Sequence, residues 1–367
     1  MDGVDPPRGE TKGALTYPFA EGPEPGSGAA VRIAEGVFWL RMPLGGSLRF
    51  INVWLLEDGD GWTVVDTGMR TEATAQAWRR AFADLLGERP VVRVIATHMH
   101  PDHVGMAGWI CRKWGASLWM SRLEYLTCRL MAADTGREAP QDGVRFYRAA
   151  GWDEAAIETY RARFGGFGKG VYPLPDSYRR IGEGEEILIG GRVWRVVVGS
   201  GHSPEHACLH QAELGLLISG DQVLPKISSN VSVFPTEPDA DPLSDWLASL
   251  ASVKAKVGEE TLVLPAHNDP FYGLHARLDR LIEGHERGLE RLWRALARPR
   301  RAVDVFGALF ARPIGPDVLG MATGESLAHL NCLRRRGKAS FALDAEGVAW
   351  WRAEGLEAPS EAESAPA

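Results

Sequence analysis

The order of elements predicts a four-layer α/β fold, with two β-sheets face to face and helices on the outside. Three observations carry this reading. Strand signals fall in two blocks, about 37–65 and 186–220, and helical periodicity follows each. The apolar, β-branched run Val91–Ala96, preceded by Pro90, reads as a buried strand. Over 273–296, Leu274, Leu278, Leu281, Leu289, Leu292 and Leu296 form one stripe of a long amphipathic helix.

Taken in order, residues 1–30 are rich in Pro, Gly and charge and read as an extended lead-in. A catalytic-sized domain follows over 31–298. It opens with a β-meander, Val37–Leu40, Phe50–Leu56 and Trp62–Val65, whose second turn is Glu57-Asp58-Gly59-Asp60-Gly61. A helix is expected over Glu72–Leu86, then the strand Val91–Ala96, a helix over Asp102–Lys113 and a short strand, Ser117–Met120. A helical insert fills 121–165 and ends in a glycine-rich bend. The second β block, a helix over Pro242–Lys256, the strand Thr261–Leu264 and the long helix complete the domain. Pro299 marks a boundary. Residues 299–354 read as helices followed by two strands around Asp344-Ala345-Glu346-Gly347, a winged-helix-like unit. Residues 355–367 read as a disordered tail.

Composition excludes several classes. With 367 residues, 45% hydrophobic and 24% charged, the chain is neither disordered, collagen-like nor a disulfide scaffold. A net charge of −7 disfavours a dedicated nucleic-acid binder. Cys111, Cys128, Cys208 and Cys332 are scattered and contain no C-x-x-C, which fits reduced thiols in a cytoplasmic protein. No secretory signal and no membrane span is visible.

One segment concentrates the chemistry: Thr97-His98-Met99-His100-Pro101-Asp102-His103, at the carboxyl end of the buried strand. Alternation points His98 and His100 to one side. Pro101 turns the chain, so Asp102 and His103 enter from another direction, with Asp102 at or near a helix N-cap. Three imidazoles and a carboxylate within six residues suit Zn²⁺, which takes His nitrogen and carboxylate oxygen.

With these residues the chain resembles the metallo-β-lactamase superfamily of αββα metallohydrolases, over about 31–297. Further motifs match in order: Asp66 in Val64-Val65-Asp66-Thr67-Gly68, His202 in Gly201-His202-Ser203-Pro204-Glu205-His206, Asp221 in Ser219-Gly220-Asp221-Gln222, and His267 in Leu264-Pro265-Ala266-His267-Asn268. The resemblance implies His98, His100 and His202 on one metal and Asp102, His103 and His267 on a second, with Asp221 bridging. It implies two Zn²⁺. An iron-dependent variant carries Glu where His100 stands, which favours zinc here, although iron or manganese in the same ligands stays open. It further implies a metal-bound hydroxide as nucleophile, so that no serine or cysteine is required. Asp102 and Asp221 are the catalytic candidates, Asp102 orienting the hydroxide or returning a proton. Asp66 would accept a hydrogen bond from a ligand, and His206 either does the same work or is structural.

Other residues read less sharply. Lys226, Ser228, Ser229 and Asn230, on the loop after Asp221, are substrate-contact candidates or members of a self-bonded loop. Leu123, Tyr125, Leu126, Leu130 and Met131 of the insert either shape an acyl pocket or pack among helices. His285 reads as a packing histidine. Arg334-Arg335-Arg336-Gly337-Lys338 reads as a helix C-terminus before it reads as a DNA grip.

Together these features predict a metal-dependent hydrolase of small esters or thioesters, of the acyl- or glutathione-thioester type. The alternatives are a nuclease or phosphodiesterase on the same metals, and a DNA-binding or ligand-sensing protein that uses the winged unit. The expected partner is a small molecule rather than nucleic acid or membrane, with a homodimer left open.

Overall fold

The computed structural model describes residues 10–46, 48–87 and 89–356. The elements run β1 (Glu10–Lys12), β2 (Leu15–Tyr17), β3 (Val31–Ala34), β4 (Val37–Pro43), β5 (Phe50–Asp58), β6 (Gly61–Val65), α1 (Glu72–Asp84), β7 (Val91–Ile95), α2 (Pro101–Val104), α3 (Ala107–Trp114), β8 (Ser117–Met120) and α4 (Arg122–Ala133). There follow α5 (Gln141–Ala149), α6 (Glu154–Arg163), β9 (Arg179–Arg180), β10 (Glu186–Ile189), β11 (Arg192–Gly199), β12 (His206–Gln211), β13 (Leu216–Gly220), α7 (Pro242–Lys256), β14 (Leu262–Pro265) and α8 (Leu274–Ala295). The chain closes with α9 (Phe306–Leu309), α10 (Leu319–Arg335), β15 (Ala339–Leu343) and β16 (Ala349–Ala353).

The chain divides into two compact units. The first comprises residues 1–137, 165–229 and 249–279, and the second 138–164, 230–248 and 280 onward. This differs from the linear division read in the sequence. The helical insert is split, α4 belonging to the first unit and α5 and α6 to the second.

The first unit holds a seven-stranded sheet in sequence order β3 to β9 and a five-stranded sheet in order β10 to β14. Strand period decides which side chain serves which layer. On β5, Ile51, Val53 and Leu55 join Leu40, Met42, Trp78, Ala81 and Ile110 in a helix-side core. Trp54 and Leu56 face the other way and meet Trp39, Val65, Ile187, Trp194, Val196, Leu209 and Ile218 between the sheets. Both faces of β5 are therefore apolar, which is why it reads as a continuous run. Helices outside the two sheets make the architecture the αββα sandwich. β6, β7, β8 and β9 pair in parallel, as do β13 and β14, so their carboxyl ends gather at one edge.

Several expectations are corrected. The lead-in is not featureless: β1 and β2 form an antiparallel hairpin, with Leu15 and Tyr17 buried. Positions 1–9, and 357–367 of the expected tail, lie outside the described residues. The helix expected over Asp102–Lys113 is two helices. The chain breaks at Met106, whose N–H bonds the Gly68 carbonyl and Thr67 Oγ1, both at 3.1 Å. A Cβ on Gly105 would sit 2.3 Å from the Pro101 carbonyl oxygen and 2.7 Å from that of Gly68, so only glycine admits this close approach. Asp102 lies near the N-cap of its helix, in the first turn. His100 is the N-cap itself, with Pro101 following as the first helical residue.

In the second unit α10 is buried along most of its length. Trp152 donates to Thr323 Oγ1 at 2.9 Å and stacks on Tyr147. The basic cluster ends the helix. Lys338 N–H bonds Leu333 O and Gly337 N–H bonds Arg334 O, with Gly337 at φ +69°, a Schellman motif. Arg336 forks onto the Glu286 carboxylate at 2.7 and 2.8 Å, and Arg334 pairs with Asp239. β15 and β16 form an antiparallel hairpin.

Candidate metal centre

Strand ends deliver the site, and both sheets contribute. β6 ends in Asp66, β7 leads into the 97–103 turn, β11 into His202, β13 into Asp221 and β14 into His267. The crevice beyond the carboxyl ends of such strands is where open α/β sheets place ligands.

Seven side chains converge in two groups. One comprises His98, His100, His202 and Asp221, the other Asp102, His103 and His267, and the ligand atoms within each lie no more than 4.8 Å apart. His98 Nε2 is 2.9 Å from His100 Nδ1, and His202 Nε2 is 3.3 Å from Asp221 Oδ2. In the second group His267 Nε2 is 3.3 Å and His103 Nε2 3.7 Å from Asp102 Oδ2. Asp221 reaches both, its Oδ2 standing 3.5 Å from His103 Nε2 and its Oδ1 3.5 Å from His267 Nε2. Tetrahedral Zn²⁺ with bonds of about 2.0–2.1 Å separates its ligands by roughly 3.3 Å, close to these distances.

A cation fits by a second test. Among the described residues, His103 Nε2 and Asp221 Oδ1 are buried with no hydrogen-bond partner. Such atoms are costly unless something else satisfies them. The ligand set, imidazole and carboxylate without thiolate, suits zinc, iron or manganese.

Three of the ligands, His103, His267 and Asp221, are held from behind. Asp66 Oδ2 accepts from His103 Nδ1 at 2.8 Å and from Thr97 Oγ1 at 2.8 Å, while its Oδ1 accepts the Thr97 N–H at 2.8 Å. This fixes the His103 proton on Nδ1 and turns Nε2 into the site. His267 Nδ1 donates to the Phe50 carbonyl at 3.1 Å, which likewise presents Nε2. His206 is not among the converging ligand atoms. Its Nε2 accepts the Asp221 N–H at 3.1 Å, so it holds the backbone of the shared carboxylate. Gly220 lies flat on this imidazole: a Cβ there would stand 2.4 Å from His206 Nε2.

Charge is sorted within the cluster. Burial pushes His98 well below the ordinary imidazole value, and His103 and His100 push it further. Burial and His202 bring His100 down to about 3. Burial opposes charge on His103 too, but the carboxylates of Asp66, Asp102 and Asp221 lift it well above its usual value. Asp221, despite burial, is held well below the carboxylate range by His103 and His267. His98 and His100 are thus neutral, the form in which an imidazole binds a cation, while His103 keeps a proton among the ionised carboxylates that a bound cation would replace.

The loop after Asp221 divides its candidates. Lys226 and Ser228 are exposed. Ser229 is buried and its hydroxyl donates to the Asp221 carbonyl, which makes it a loop-closing bond instead of a surface contact. Asn230 belongs to the second unit, where its amide donates to Glu325 Oε2 at 2.9 Å. Buried Arg277 donates to the carbonyls of Leu224 and Ile227 and holds the loop's first half. On α4, Tyr125 and Cys128 are buried while Leu123, Leu126 and Leu130 are exposed.

Four contributors were missed in the sequence. Thr97, inside the motif, bonds both oxygens of Asp66. Asn52 accepts from Trp39 Nε1 at 2.8 Å and donates to the carbonyls of Pro265 and Asn268 on either side of His267. Arg277 and Glu124 carry no motif. The one available signal, a lone polar residue in the apolar run Phe50–Leu56, pointed to Asn52.

Comparison with known proteins agrees with this geometry. The family model described as metallo-beta-lactamase superfamily matches residues 46–267, and one described as metallo-beta-lactamase-like, C-terminal domain, matches 289–354. A beta-lactamase domain protein from Burkholderia ambifaria is similar in structure, at 40% identity and TM-score 0.84, covering 93% of this chain and 98% of its own. A metallo-beta-lactamase family protein from Thermus thermophilus is 26% identical with TM-score 0.74, covering 88% and 100%. Acyl-coenzyme A thioesterase MBLAC2 of Gallus gallus is 27% identical over 247 residues, 65% of this chain and 80% of the relative. A family model spanning more than half of the chain, over the sandwich that gathers the His and Asp cluster, shows that the protein belongs to the metallo-β-lactamase superfamily of metallohydrolases.

Proposed function

We propose that the protein is a dinuclear, zinc-dependent thioesterase acting on small acyl thioesters of the coenzyme A or glutathione type. The observation that carries the reading is the double cluster of seven ligand atoms sharing Asp221. The substrate class draws support from the relatives of Gallus gallus and Bos taurus, both named acyl-coenzyme A thioesterase MBLAC2 and 27% and 25% identical.

A pair of divalent cations supplies Lewis acidity and a nucleophile at neutral pH when bound. His98, His100 and His202 would hold one and Asp102, His103 and His267 the other, with Asp221 shared. The remaining work falls to the chain. Asp66 and the Phe50 carbonyl keep protons on the outward nitrogens of His103 and His267. His100 and Asp102 are the ligands with partial exposure, so substrate meets the cluster on their side. Asp102 is the carboxylate placed to take up a proton there and release it to the departing sulfur. A thiol leaves with a pKa near ~8.5, so it asks little of that acid. Lys226, exposed on the loop after Asp221, is the cationic group for an anionic carrier.

The test is thiol release from acyl-coenzyme A and glutathione thioesters, before and after chelation and zinc readdition. Turnover should vanish on metal removal, return with zinc, and stay at background in Asp221→Asn. Metal-loaded protein that cleaves phosphodiesters or RNA and leaves every thioester intact would overturn the reading.

A further inference from the structure

A buried carboxylate outside the ligand set ties together the two loops that carry the first group of histidines. Ser121-Arg122-Leu123-Glu124 opens α4 with the sequence of a capping box, in which serine caps the helix and glutamate bends back to the serine N–H. The structure departs from that pattern. Ser121 makes no cap bond. Its hydroxyl donates instead to the Glu205 carbonyl at 2.6 Å. Glu124 turns inward, fully buried. Its Oε2 accepts the Met99 N–H at 2.9 Å and its Oε1 the Glu205 N–H at 2.7 Å. The Leu123 N–H left by the missing cap is taken by Glu205 Oε2 at 2.9 Å.

Met99 lies between His98 and His100, and Glu205 lies three residues after His202. One carboxylate thus spans the backbones of both loops. Among the described residues it forms no ion pair with Lys or Arg, so its burial carries a desolvation cost that a neutral side chain would avoid. Residues that break a local rule at a cost mark functional positions. We infer that Glu124 is a positioning residue that sets the separation of the His98–His100 turn from His202, and with it the affinity for the cation of the first group. Through its two acceptor bonds it fixes backbone, while the imidazoles do the binding.

This rests on the reading that His98, His100, His202 and Asp221 hold a cation. The experiment is cobalt and zinc titration of the full-length metal-free protein against a chromophoric chelator, with Co²⁺ absorption spectra, for wild type, Glu124→Gln and Ser121→Ala. In Glu124→Gln an amide N–H₂ replaces one acceptor and faces a backbone N–H. One of the two ions should then bind about 10- to 100-fold more weakly, with a changed spectrum, while the other binds as in wild type. In thioester turnover kcat should fall with KM retained. A folded Glu124→Gln protein that binds both ions with wild-type affinity and spectrum refutes the proposal, whatever its thermal stability. If Glu124→Gln does not fold, Ser121→Ala decides, since it loosens only the Glu205 end: weaker binding of one ion supports the proposal and wild-type binding overturns it. Wild-type protein that binds no divalent ion refutes the underlying site and this proposal with it.

Discussion

Replacing Asp66 by Asn tests how the second group of ligands is oriented. Asp66 is buried, and its backbone is left-handed at φ +58°, which Asn tolerates as Asp does, so the change acts on the side chain alone. The carboxylate accepts from three donors, the Thr97 N–H, the Thr97 hydroxyl and His103 Nδ1–H, each at 2.8 Å. An amide has only one oxygen. If that oxygen keeps the Thr97 N–H, the amino group faces His103 Nδ1, and the ring must move its proton to Nε2, the atom aimed at the cation. If the amide flips, two N–H groups oppose each other instead. The loss is one hydrogen bond to a charged group, about 1.5–3 kcal/mol, or roughly 10- to 150-fold in dissociation constant. Competitive chelator titration of Asp66→Asn should show that weakening for one ion, with circular dichroism confirming the fold. Wild-type affinity for both ions in a folded variant would refute the argument.

Three further outcomes are expected. Gly220→Ala places a methyl 2.4 Å from His206 Nε2 at φ +50°, so it should break the bond that holds Asp221 N–H. Metal affinity and thermal midpoint should both drop, by an amount within the ~1–3 kcal/mol of overpacking, and unchanged values would contradict the close approach. In the second unit, burial brings His285 and His329, whose rings meet at 3.4 Å, from 6.5 to about 4. The unfolded chain therefore binds more protons between those values, and stability falls as pH drops from 6.5 towards 4, by up to ~3 kcal/mol per histidine. Buried Glu325, raised to about 7, works in the opposite sense and costs stability as pH rises from 4.5 towards 7. His329→Gln should flatten the acid limb of the midpoint-against-pH curve and Glu325→Gln the neutral limb. Curves parallel to wild type would count against both assignments.

The fold was legible because its strands carry period and punctuation. β5 serves two apolar layers, and its turn at Asp58–Gly61 is written in the residues. The residues brought to the metal centre were legible for a different reason: each follows a strand end and belongs to a short motif. The supporting shell was not. Glu124 sits in a helix whose pattern predicts a cap, and only tertiary contact diverts it. Asn52 looks like a lapse in a hydrophobic run until β14 ends beside it. Ser229 looks like a surface hydroxyl until the loop folds it back on Asp221. The division of the insert was hidden as well, since α4, α5 and α6 follow one another along the chain and only their tertiary partners assign them to different units.

The cluster draws His98, Asp102 and His103 from one sheet and His202, Asp221 and His267 from the other. A bound ion therefore acts as a rivet through the sandwich, and its occupancy reports on how well the two layers are seated. At a free concentration one hundred times its dissociation constant, an ion held there would add about 2.7 kcal/mol to that seating. A defect far from the chemistry, such as loss of the Trp194 ring from between the sheets, would register first as a looser grip on metal.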